Sequence, residues 1–219
     1  RPVRDSAALL DLTAGALPGS SFQLSKPSVP YLEDMNFAPH RLRIALTRSP
    51  VVSRHLHPDC LAALDASAKR LSDLGHEVIL SEPPLVGDDF IFHYVRLLAA
   101  DTAATLADLE LMVGRRAKRD EIEPRTWALI HMGRAITGEE LVTSQWSLQK
   151  ICRDYAEWAN GFDVVVSAAL GSPPLAIGAL KPDFRQRTLL TLANTLPLGN
   201  IAKQRDFILS NARDIFDYT

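Results

Sequence analysis

Few residues in this sequence have both the type and the spacing to do chemistry. His55-x-His57 followed by Asp59 puts two imidazoles and a carboxylate in one loop, a spacing that can chelate a metal. No third ligand stands in matching context elsewhere, so the segment is read as a solvated lead-in to a helix. Cys60 falls in the first turn after Pro58, where a helix N-terminus lowers a thiol's pKa. It is the more reactive of the two cysteines, yet a small core residue is the expected role. Cys152 lies on an apolar helical stripe and reads as packing. His93 and His131 fall on predicted helices and read as packing or surface groups, not as acid–base catalysts. No G-x-S-x-G, Walker loop, G-x-G-x-x-G or H-E-x-x-H occurs. Arg115-Arg116-Ala117-Lys118-Arg119 is followed by Asp120, Glu121 and Glu123, and the mixed signs predict a solvated inter-helix loop, not a phosphate site.

The elements that must carry these residues alternate between strand and helix. Val3, Ala7, Leu10 and Ala14 recur at helical spacing before Gly15. Residues 15–40 hold four of the chain's prolines and predict an extended connector. Leu42–Leu46 alternates toward a strand. Pro58 opens a helix carrying Leu61, Leu64, Ala68, Leu71 and Leu74, which Gly75 ends, and Val78–Leu80 follows as a strand. Strand, helix, strand in this span is a βαβ unit and implies a parallel sheet. Asp88 or Asp89 caps a helix to about Val113, with Phe90, Tyr94, Leu97, Leu98, Ala104 and Leu111 on its predicted apolar face. Pro124 opens another that runs toward Gly138. Thr137 and Glu140 have capping-box spacing for a third, whose stripe is Leu141, Leu148, Cys152, Tyr155 and Ala159, with Gly161 as its stop. Phe162–Ala169 is a compact β-branched run that predicts a strand buried on both faces. A loop with Pro173, Pro174 and Gly178 follows, then a short helix near Arg187–Thr195. The expected organisation is one incomplete α/β domain. Its parts are a helix and connector over 1–40, a βαβ unit over 41–87, a helical cover over 88–161, a buried strand and pocket loop over 162–202 and a divergent tail over 203–219.

Composition excludes several classes. The 219 residues include 24 basic and 26 acidic side chains, without the basic excess of a nucleic-acid or membrane-surface protein. No apolar run reaches the ~18 residues of a membrane span. Hydrophobic content of 47% and charged content of 23% are those of a globular chain. Two cysteines make no disulfide framework, which predicts an intracellular, cytoplasmic protein. The chain opens on Arg1, not Met, and is expected to be part of a longer polypeptide.

An ordered series of short segments resembles one family. Arg1-Pro2-Val3-Arg4-Asp5-Ser6-Ala7-Ala8-Leu9-Leu10 is similar to the G-P-x-x-R-[SP]-V-x-D-x-A segment of the amidase signature family. Tyr31-Leu32-Glu33 and Arg41–Leu46 resemble that family's pyl…grLRIal strand. His57-Pro58-Asp59-Cys60 through Leu74-Gly75-His76-Glu77-Val78 resembles its following helix and strand, with Pro83-Pro84 after it. Thr126–Leu129, Gly133-Arg134, Phe162–Val166 and Pro173-Pro174…Ile177-Gly178 continue the order. The nearest flavour is the bacterial group of amidases and 6-aminohexanoate-cyclic-dimer hydrolases, and the likeness covers roughly residues 1–202.

The resemblance implies a partial amidase-signature fold, a mixed or parallel β-sheet flanked by helices with a helical cover. It implies a hydrolase of linear or cyclic carboxylic amides that uses a Ser–cis-Ser–Lys triad, with a small-molecule amide as substrate and no cofactor or metal. In the family all three triad residues precede the segment matched at Arg1, so no residue here receives a catalytic role and the chain alone is expected to be inactive. Ser167 and Asn200 are nominated as lining the substrate pocket. Two departures stand out. The family's T-P-T is Ser167-Ala168-Ala169, and its N-x-[TS]-G-x-P-A begins at Asn200-Ile201-Ala202 but continues Lys203-Gln204-Arg205-Asp206. The alternatives are an inactive binding or assembly module built on this fold, and an unrelated α/β enzyme using Cys60 or the His55/His57 loop. No nucleic-acid or membrane partner is expected. An open sheet edge would favour self-association into a homo-oligomer.

Overall fold

A computed structural model describes residues 2–20, 25–49, 56–84, 87–178 and 199–216. The chain divides into two compact units, Arg1–Leu42 and Arg43–Thr219.

In the first unit, helix α1 spans Val3–Thr13 and a single turn, α2, spans Tyr31–Asp34. The turn interrupts what the prolines predict as an extended connector. Pro30 supplies the N-cap, and the Asp11 carboxylate accepts the N–H groups of Tyr31 and Leu32 at 2.7 and 3.0 Å. A negative side chain on exposed helical N–H groups favours the turn despite its length. The predicted apolar face of α1 is largely open, with only Ala7 buried.

The second unit is built on a three-stranded parallel sheet of order β2-β1-β3, with β1 at Arg43–Leu46, β2 at Glu77–Leu80 and β3 at Val164–Val166. Ile44 pairs with Val78 on one side and with Val164 on the other. Ile44, Ala45 and Leu46 are all buried, so β1 is a central strand covered on both faces, not the alternating strand its sequence suggests. β3 departs the other way. Its valines predict burial on both faces, yet Val164 is exposed and Val165 and Val166 are half-buried.

Helix α3, Pro58–Asp73, crosses from β1 to β2. Its N-cap is His57, Pro58 sits in its first turn, and Leu64 is its buried anchor. Gly75 follows at φ +93°, a backbone angle that side chains disfavour, and turns the chain into β2.

Between β2 and β3 lie α4 (Gly87–Val113), α5 (Pro124–Ala135) and α6 (Gly138–Ala159). α5 ends at Ala135, three residues before the predicted stop, and Gly138 instead opens α6. Glu123 caps α5, and the Thr137/Glu140 capping box forms with both of its hydrogen bonds. The buried face of α4 is Ile91, Ala99 and Leu106, not the predicted Phe90–Leu111 stripe; Tyr94, Leu98 and Leu111 are exposed. The reason lies in Gly133. A Cβ there would stand 2.0 Å from the Ala99 carbonyl oxygen, so α4 and α5 cross backbone to backbone at two small residues. Cys152, expected in packing, is exposed on α6.

Most of residues 203–216 are helical. After a four-residue helix α7 (Gly199–Ala202), helix α8 (Arg205–Phe216) buries Ile208, Leu209 and Ala212 against Ile91, Ala99 and Met132. The predicted helix near Arg187–Thr195 lies outside the described residues.

Candidate functional site at the carboxyl end of the sheet

In a parallel sheet the loops leaving the carboxyl ends of the strands are where ligands gather. Here those loops begin at Thr47, Ser81 and Ser167. Thr47 is buried, and its hydroxyl donates to Glu82 Oε2 at 2.5 Å. The same carboxylate accepts the Arg48 N–H at 2.9 Å and the Ser49 N–H at 3.1 Å. Partial burial pushes the Glu82 carboxyl up, but the Thr47 hydroxyl and the two N–H groups outweigh it and hold the pKa below the usual carboxylate value. Glu82 thus occupies the donor cluster after β1, and Arg48 turns outward to pair with Asp65 on α3.

Ser81 accepts a 2.9 Å hydrogen bond from Trp158 Nε1, which joins the end of α6 to the end of β2. Trp158 also packs with Tyr155 and Phe162. Trp158 was missed in the sequence, although it stands three residues beyond Tyr155 and so on the same helical face.

Ser167 directly follows β3 and is exposed at the sheet's carboxyl end. Asn200 is exposed in α7, which packs on α5. Gly199 lies so close to α5 that a Cβ would stand 2.7 Å from the His131 carbonyl oxygen. Lys203 Nζ donates to the Ala135 carbonyl at 3.0 Å and to Glu140 Oε2 at 2.9 Å. The turn bearing Asn200 is therefore fixed at both ends. No described contact joins Ser167 to Asn200.

A second polar cluster lies between α4 and α6. Glu140 accepts from Arg96 at 2.7 Å and from Lys203, and completes the α6 cap through the Thr137 N–H at 2.8 Å. Burial pushes the Glu140 carboxyl up, but the Thr137 N–H, the Lys203 ammonium and the Arg96 guanidinium bring it down to about 2. Next to it, His93 Nδ1 lies 3.2 Å from Ser144 Oγ. Ser144 is fully buried and inaccessible as a nucleophile, so the pair joins two helices. Arg96 and Arg205 both lie over the Phe92 ring, at 4.8 and 5.1 Å from its centroid.

The remaining candidates resolve simply. His57 Nδ1 accepts the Asp59 N–H at 3.2 Å as the N-cap of α3. His55 lies outside the described residues. Among the described residues no group of three His, Cys, Asp or Glu side chains could hold a metal ion. Cys60 is half-buried in the first turn of α3. Arg115 forms a two-bond pair with Glu121, so the basic cluster folds back on its own acidic neighbours. No helix among the described residues is long and apolar enough to cross a membrane.

The Amidase family model matches residues 1–212, and the chain is a member of that family. The match runs ten residues past Ala202, where the segment-by-segment resemblance ends, and takes in most of the docked α8. The relatives are specific. The chain is 30% identical over 183 residues to the 6-aminohexanoate-cyclic-dimer hydrolase of Pseudomonas sp. strain NK87. It is 30% identical over the same length to the enzyme of that name from Paenarthrobacter ureafaciens. Each match takes in 82% of this chain and 37% of the relative. A solved structure of 6-aminohexanoate cyclic dimer hydrolase superposes with a TM-score of 0.75 at 26% identity, covering 91% of this chain and 44% of the other. The chain thus spans well under half the length of the relatives it matches. Family membership removes the reading as an unrelated α/β enzyme.

Proposed function

We propose that these residues form one section of an amidase-signature hydrolase that cleaves carboxylic amide C–N bonds, and that its Ser–cis-Ser–Lys triad lies outside this sequence. One observation carries the reading. The family match runs through residues 1–212, while the alignment takes in only 37% of the hydrolase relatives. In the proposed chemistry the lysine deprotonates the bridging serine, which takes the proton of the nucleophilic serine as that oxygen attacks the amide carbonyl. Backbone N–H groups stabilise the resulting oxyanion. This chain supplies the βαβ unit, the helical cover and part of the substrate pocket, including Ser167 and Asn200. The substrate is a small-molecule amide, linear or cyclic, by analogy with the relatives named for a cyclic amide dimer.

The test is hydrolysis of a panel of aryl, aliphatic and cyclic amides by the purified chain. No turnover above blank is expected. Turnover that survives repurification would place a working catalytic set within these residues and overturn the assignment of the triad.

A further inference from the structure

The helical cover holds a cavity apart from the carboxyl end of the sheet. It encloses about 530 Å³ between the second half of α4, the loop over residues 114–123 and the start of α5. That volume is within the range of small-molecule sites. A helix rises about 1.5 Å per residue, so Thr102, the first lining residue, stands about 22 Å along α4 from its start at Gly87. The floor is the buried pair Leu106 and Ile130, and Leu109 and Ile122 add apolar wall. Leu109 is 49% exposed, so an apolar occupant would take its surface out of water.

The polar groups around the cavity sort by what they have left to offer. The Arg115 guanidinium donates to the two Glu121 oxygens at 2.8 and 2.9 Å and to the Arg116 carbonyl at 3.2 Å. The Thr102 hydroxyl donates to the Leu98 carbonyl at 2.6 Å, and the Thr126 hydroxyl to Glu123 Oε2 at 3.2 Å. The Ala117 N–H donates to Glu110 Oε1 at 2.9 Å. These donors are spent inside the protein, and what remains on the same groups is acceptor capacity. A carboxylate has about four lone-pair sites, of which the Ala117 bond takes one, and a hydroxyl that donates can still accept.

Charge points the same way. The lining carries two carboxylates, Glu110 and Glu121, against the one guanidinium of Arg115. Arg116, Lys118 and Arg119 are exposed and stand outside the lining. An anionic ligand would have to draw Arg115 away from both Glu121 oxygens. An ammonium carries three donors and no acceptor, and so complements Glu110 with the threonine oxygens.

We propose that this cavity binds an aliphatic primary amine in its ammonium form, with the alkyl chain on Leu106, Leu109 and Ile130 and the charge on Glu110. The site does not depend on the catalytic reading and stands or falls without it.

The experiment titrates the full chain, labelled at its methyl groups, with butyl-, hexyl- and octylammonium and follows the Leu106 and Ile130 methyl resonances. Saturable shifts are expected, with affinity rising about 4-fold for each added methylene, as burial of one CH₂ requires. Glu110→Gln keeps an acceptor for the Ala117 N–H but removes the charge. It should weaken hexylammonium about 10-fold or more and leave 1-hexanol unchanged. Leu109→Gln, at an exposed position, should weaken both. Three results would overturn the proposal: no saturable shift of either methyl at millimolar octylammonium, hexanoate binding as tightly as hexylammonium, or hexylammonium affinity that Glu110→Gln does not change. Hydrolysis of amides by the chain, present or absent, leaves these readouts unaltered.

Discussion

Thr47 and Glu82 face each other across the carboxyl ends of β1 and β2, hydroxyl to carboxylate at 2.5 Å. The bond matters because Thr47 is buried and has few alternatives, while Glu82 also holds the N–H groups of Arg48 and Ser49. Glu82→Ala removes three acceptor contacts at once. Glu82 itself is solvent-exposed, so water replaces part of the loss, and a cost of about 1–2 kcal/mol is expected. Thr47→Val removes the hydroxyl's bond to Glu82 and its 3.3 Å contact with the Ser49 carbonyl, and should cost less. Thermal unfolding of both variants checks the order. A depressed carboxyl pKa contributes stability above its ordinary value and loses it on acidification, so the gap between wild type and Glu82→Ala should narrow as pH falls below about 4.5.

The crossing of α4 and α5 depends on Gly133 having no side chain. A Cβ would stand 2.0 Å from the Ala99 oxygen and 2.5 Å from its carbonyl carbon. Both are backbone atoms, so a rotamer change cannot relieve the clash and the helices must part. Gly133→Ala is expected to destabilise by about 3 kcal/mol, the upper range for overpacking. Gly138→Ala is the control, since nothing lies within 4 Å of its built Cβ. It should be neutral or slightly stabilising, because alanine reduces the freedom of the unfolded chain. Equal melting temperatures for the two variants would show that the crossing is looser than described.

These two sites mark what the sequence could and could not convey. Local signals were legible: Pro58 and Gly75 bound α3, and the Thr137/Glu140 box starts α6, because each acts over a turn of chain. The apolar face of α4 was not. Large side chains dominate a periodicity count, whereas Ala99 is buried by its fit to Gly133, a residue 34 positions away. α8 is a second case. The departure from the family's N-x-[TS]-G-x-P-A after Ala202 reads as a divergent tail, and there Ile208, Leu209 and Ala212 pack on residues of α4 and α5 far back in the chain. At the candidate site, Ser167 is nominated through the family resemblance, while Glu82 and Trp158 act through partners 35 and 77 residues distant.

Glu140 joins three helices and should be the most sensitive carboxylate in the chain. It caps α6, accepts from Arg96 on α4 and accepts from Lys203 after α7. The side chains of Arg96 and Lys203 are 11% and 13% exposed, so losing their shared partner leaves two largely buried cations. Glu140→Ala is expected to cost about 3 kcal/mol, and Lys203→Met less, since it removes a charge along with its need for a partner. The carboxyl pKa is depressed to about 2 from 4.5. Its contribution is therefore complete above pH 4.5 and is lost as pH falls through that window toward 2. Denaturant unfolding at pH 7 and at pH 3.5 should show the wild type losing stability that Glu140→Ala has already lost.

His93 should make stability fall at milder acidity. Burial lowers its pKa, the nearby Asp89 opposes that, and the charges of Arg96 and Arg205 lower it further, for a net shift below 6.5. The groups that face it are thus two cations, one carboxylate and, on α6, the Ser144 hydroxyl. For a base whose folded pKa is depressed, the unfolded chain takes up the proton first. Folding is then fully favoured above about pH 6.5 and is weakened as pH drops below it. His131 is shifted the same way by burial, with Arg134 and Arg119 adding to it, so the wild-type slope reflects both rings. His93→Gln can still meet the Ser144 hydroxyl but cannot be protonated in this range. Melting temperatures at pH 7.5 and 5.5 should converge in that variant relative to wild type, with the residual slope belonging to His131. An unchanged slope in His93→Gln would show that the His93 ring is protonated as easily in the folded chain as in the unfolded one.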